Sequence, residues 1–156
     1  MSFYDWIEST AVGTWVRESP WGFPGGLIVH VWSMAFIGGM SLLVALAIFG
    51  RAPRLLPALL GRYLPVTWSA FGISLLSGLV LMATYPDKVL GNVVFWLKLV
   101  FIAMALALVT SVQRRCMALS SIDAAPFPAA LKLRAALILL AWFCAIITGR
   151  LLYYTY

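Results

Sequence analysis

Four stretches of the chain, about 27–49, 65–85, 93–112 and 134–154, are almost continuously apolar and are separated by short polar connections. About 20 helical residues cross the hydrocarbon core of a bilayer. Inside that core every backbone amide needs a partner within its own segment, or within a closed barrel. Runs of this length therefore predict four membrane-spanning helices. Composition agrees: 63 % of the 156 residues are hydrophobic and 10 % charged, more apolar surface than one soluble core of this size can hide. The expected fold is all-α, an integral membrane antiparallel four-helix bundle, with residues 1–156 forming a single membrane domain.

The connections set the expected orientation. Arg51, Arg54 and Arg62 follow the first run, and Arg114, Arg115, Lys132 and Arg134 follow the third, opposed by Asp123 alone. The N-terminal segment and the 86–92 turn hold only Arg17 and Lys88, beside Asp5, Glu8, Glu18 and Asp87. Basic residues stay on the cytoplasmic side. The bias predicts a multi-pass protein of the bacterial inner (cytoplasmic) membrane, N-out and C-out. The formal charge of +6 is thus a topology signal, and no nucleic-acid partner is expected.

Residues 1–22 are too polar to span yet carry Trp6, Trp15 and Trp21. An amphipathic interfacial helix on the outer face fits, since indole rings favour the headgroup level. A docking surface for another membrane or periplasmic subunit fits equally. No basic residue precedes Arg17, so no cleaved secretory signal is expected. Cys116 and Cys144 differ in depth by more than a disulfide spans. Small residues recur every four positions at Ala70, Ser74 and Gly78, at Ala103, Ala107 and Ser111, and at Ala141, Ala145 and Gly149. Such stripes let helices approach closely.

Three ionisable residues lie within the spans. At 1.5 Å per residue, His30 falls roughly 5 Å inside the outer end of its run, Lys98 about 8 Å and Arg150 about 6 Å. Met82 shares that layer, and Met34 lies one turn from His30. Two readings stand side by side. In one, the cations snorkel to the headgroups, His30 bonds a carbonyl of a neighbouring helix, and the methionines fill space. In the other, the layer is a ligand site. His30, Met34 and Met82 are soft enough for copper as Cu(I). The same His and Met could hold a b-type haem, with Lys98 and Arg150 on its propionates. The two cations could equally hold a quinone oxygen or an anionic headgroup. No acid lies within a span, so no catalytic acid–base pair is expected.

The string LGNVVFWLKLVFIAMALALVTSVQRR (residues 90–115) resembles the lysine-bearing helix in the membrane domain of copper-resistance D-type proteins. The whole chain is similar to a family of small four-helix bacterial inner-membrane proteins of unknown function. That likeness rests on His30 near the start of the first span, P-x-x-W-x-x-F-G at Pro65 to Gly72, N-x-x-F-x-x-K at Asn92 to Lys98, and G-R-L-x-x-Y beginning at Gly149. The resemblance implies the fold and topology, and places His30, Lys98 and Arg150 in one layer. The expected role is a non-catalytic accessory or assembly subunit, with a haem-, quinone- or copper-binding protein as the alternative.

Overall fold

The computed structural model describes residues 2–118 and 127–155, and all the regular structure among them is helical. Four helices are long and apolar enough to cross a membrane: α3 (Gly22–Ile48), α5 (Leu64–Met82), α7 (Val93–Ala118) and α8 (Ala129–Leu152). Their neighbours run in the order α5, α3, α8, α7. The tightest pairs are α7 with α8 and α3 with α5, and α3 joins the two pairs through α8.

Each helix overshoots or undershoots its apolar run for a local reason. α3 starts at Gly22 rather than near 27 because Pro24 sits in the first turn, where its missing N–H costs nothing. It closes on Gly50 at φ 82°, with Arg51 N–H donating to Leu46 O and Gly50 N–H to Ala47 O. That is the left-handed cap glycine adopts most cheaply. α5 stops at Met82, and Pro86 keeps Tyr85, at φ −146° and ψ 69°, out of the helical region. α7 runs past Arg114 and Arg115, and α8 begins at Ala129, since charges at the headgroup level do not end a helix.

The connections hold more structure than their polarity suggests. Residues 53–63 wind through short helical turns, including α4 (Leu56–Ala58), and bury Leu56 and Leu59 beneath the long helices. The 86–92 turn contains α6 (Pro86–Leu90). The N-terminal segment is two helices rather than one, α1 (Phe3–Ser9) and α2 (Ala11–Glu18). They divide at Thr10, which is extended; its hydroxyl donates to Ile7 O at 2.6 Å and accepts from Gly13 N–H at 3.2 Å. Ser2 caps α1, with a reciprocal bond from its amide to Asp5 Oδ2 at 2.7 Å. α1 packs on α6, and α2 on α3 and α5. At the same end Asn92 Nδ2 donates to Thr155 Oγ1 at 2.8 Å, so the segments near both termini share one end of the molecule.

Two of the three small-residue stripes face inward: Ser74, Ala141 and Ala145 are buried, and Ala70 packs against the core. The third does not, because Ala103 and Ala107 are exposed. α7 turns Ala105, Val112 and Cys116 inward instead. Both cysteines are free thiols.

Gln113 is buried at the end away from the termini, beside a cavity of about 40 Å3, and its Nε2 has no partner among the described residues. A buried donor left unmatched costs about 1–3 kcal/mol. Gln113→Met, similar in length and apolar, is expected to raise the thermal midpoint in detergent. A lower midpoint would mean that the amide is engaged.

Candidate functional site

His30 and Lys98 come together. Lys98 Nζ lies 3.5 Å from His30 Nε2, a long contact that is more electrostatic than a strong hydrogen bond. The other ring nitrogen, Nδ1, is 2.9 Å from Ser74 O and 3.2 Å from Ser77 Oγ. A carbonyl only accepts, so Nδ1 carries the hydrogen. Ser77 Oγ directs its own hydrogen to Ile73 O at 2.8 Å and is left as a second acceptor. The imidazole is therefore the neutral Nδ1–H tautomer, its Nε2 lone pair turned to the ammonium.

Two glycines make room for the pair. A Cβ on Gly78 would stand 3.2 Å from His30 Cε1. One on Gly149 would meet Lys98 Cε and Nζ at 3.4 Å. All four long helices thus contribute: α3 the imidazole, α5 its acceptors and Gly78, α7 the lysine, and α8 the glycine over which its stem lies. His30 and Lys98 are both half-buried. Lys98 has no carboxylate partner among the described residues, where the ion pair found is Arg17 with Glu8 at 3.7 Å.

The other residues of the expected layer behave differently. Arg150 is exposed and turns to Tyr154, 5.6 Å from the ring centroid and 3.5 Å from the hydroxyl. It follows Gly149 by one residue, which is a rotation of about 100° around the helix. Depth placed it beside Lys98; azimuth turns it away. Met34 packs against the core, and Met82 is half-buried in the last turn of α5. Among the described residues no three His, Cys, Asp or Glu side chains gather as a metal site.

The donor set discriminates among the ligands considered. Copper or haem iron at His30 needs the Nε2 lone pair, and that lone pair faces an ammonium that repels a metal cation. The arrangement does not fit either metal. A quinone carbonyl or an anion instead takes hydrogens from Lys98, which matches what the lysine offers.

Sequence reasoning missed Ser74, Ser77, Gly78 and Gly149 as parts of this node. Ser74, Gly78 and Gly149 read as packing stripe. Pairing depths across successive helices would have found them, since a residue early in α3 meets one late in α5.

At the same end of the molecule, Trp6, Trp15 and Trp21 are 56 %, 58 % and 77 % exposed. No family model matches the chain, and no curated protein or solved structure matches it either.

Proposed function

We propose that this chain is a non-catalytic accessory or assembly subunit of the bacterial inner membrane, an antiparallel four-helix bundle with both termini outside. It docks a membrane or periplasmic partner through the layer formed by α1 and α2. One observation carries the reading: three exposed tryptophans, Trp6 on α1, Trp15 on α2 and Trp21 in the turn before α3, stand on a backbone too tightly built to be a loose tail. Capping at Ser2 and Thr10 fixes both short helices. Gly13 seats them against the end of α5, where its Cβ position lies 3.1 Å from Ala83 O. Rigid, exposed indoles are what interface anchors are made of. The resemblance to copper-resistance D-type proteins enters this reading through fold alone.

The test is co-purification from native membranes in mild detergent. The tagged chain is expected to elute with a defined second polypeptide. Trp6→Ala, Trp15→Ala and Trp21→Ala together should lose that polypeptide while leaving the bundle folded. A stable monomer with no companion would overturn the proposal.

A second reading is favoured by Lys98, which has no carboxylate partner among the described residues. An ammonium inside an apolar layer, with an imidazole rather than a carboxylate beside it, suits a bound quinone oxygen or small anion. The bundle then serves as a ligand-binding subunit, and docking and binding are compatible in one protein.

A further inference from the structure

The end away from the termini carries a second polar assembly, unrelated to the His30–Lys98 node. The last turns of α7 and the start of α8 line an open pocket of about 360 Å3, bordered by Ala107, Thr110, Ser111, Arg114, Arg115 and Arg134. Thr110 Oγ1 donates to Ala107 O at 2.9 Å, and Ser111 Oγ to Leu108 O at 2.8 Å. Both hydroxyl hydrogens are thereby committed to their own helix. Ser111 Oγ in turn accepts a long hydrogen bond from Arg134 Nη1 at 3.4 Å, which directs that guanidinium across the gap between the two helices. Arg114 and Arg115 are exposed, and among the described residues no carboxylate pairs with any of the three.

Membrane topology asks only that basic residues lie on one side. It does not ask two helices to line one pocket with three guanidiniums and turn one of them toward a serine. Like charges gathered in this way repel, and an anion among them relieves the cost. Guanidinium forks match phosphate oxygens two at a time. The pocket also lies where an apolar span gives way to the headgroup level, the usual place of phosphate recognition between membrane helices.

We propose that Arg114, Arg115 and Arg134 form a phosphate-ester site, filled by the headgroup of an anionic phospholipid or by a free phosphate-bearing solute. On the proposed topology it faces the inner leaflet. Ser111 is a positioning residue that acts through Arg134.

The test is retention of phosphatidylglycerol by the full chain, read by native mass spectrometry after exchange into micelles holding equal phosphatidylglycerol and phosphatidylcholine. Wild type is expected to keep phosphatidylglycerol preferentially. Arg114→Gln, Arg115→Gln and Arg134→Gln combined should lower retention at least about tenfold. Arg51→Gln, Arg54→Gln and Arg62→Gln combined remove equal charge from the other basic connection and should leave it unchanged. Arg134→Lys keeps the charge but loses the fork, and should weaken retention on its own. Displacement by millimolar inorganic phosphate would assign the site to phosphate alone, and resistance to it would assign it to the lipid. Equal loss in the two triple variants, or no lipid preference in wild type, would overturn the site.

Discussion

Lys98→Met is expected to make the protein more stable and to abolish retention of any quinone or anion at the His30 node. The substitution keeps the length of the stem lying over Gly149 and removes a charge for which no carboxylate is present among the described residues. A charged residue deep in a span costs about 2.5–3.5 kcal/mol on insertion scales, and less nearer the interface. Against that gain stands the lost contact of His30 Nε2, which is already long at 3.5 Å and contributes at most about 1 kcal/mol. The balance predicts a gain of about 1–2 kcal/mol, seen as a higher thermal midpoint in nanodiscs. Quinone extracted from the same preparations should fall to background. Stability gained as binding is lost is the signature of a residue kept for function. A fall in the midpoint would instead make Lys98 a structural anchor, and unchanged quinone content would remove it from any site.

Gly13→Ala is expected to detach the N-terminal layer. The new methyl would stand 2.8 Å from Ile7 O, 2.9 Å from Glu8 O and 3.1 Å from Ala83 O. All three are backbone atoms, so no flexible side chain can yield. Overpacking of this kind costs about 1–3 kcal/mol, and here it falls on the corner joining α1 and α2 to the end of α5. Limited proteolysis should cut the variant within residues 1–20 while the four long helices stay intact. Partner co-purification should fall with it. Gly39→Ala, in α3 with nothing within 4 Å of its Cβ position, is the matched control and should be silent. Equal protease resistance in the two variants would contradict the account of the corner.

Much of the architecture was legible because length and hydropathy alone dictate it. The four long helices fall where the apolar runs lie; the ends of α3 and α5 shift where Pro24, Gly50 and Pro86 intervene, and α7 and α8 extend past the apolar runs through their flanking basic residues. The meeting of His30 with Lys98 was legible because ionisable residues inside spans are few, and a common depth narrows the choice. Depth says nothing about rotation, however, and there Arg150 and the Ala103–Ala107 stripe departed from expectation. A one-residue step on a helix separates Gly149, which meets the lysine, from Arg150, which meets Tyr154. Gly78 was hidden for another reason: a glycine that admits an imidazole looks, in one dimension, like a glycine that admits a backbone. Thr10 divides the amphipathic segment through a side-chain cap, and a smooth periodicity does not register it.

His30 is the single histidine of the chain, so 15N-histidine labelling reports this node and nothing else. In bilayers at neutral pH the account predicts one imidazole, protonated at Nδ1 and bare at Nε2, with the Nε2 resonance moving on Lys98→Met and the Nδ1 resonance holding. A hydrogen on Nε2, or spectra indifferent to the loss of Lys98, would contradict it.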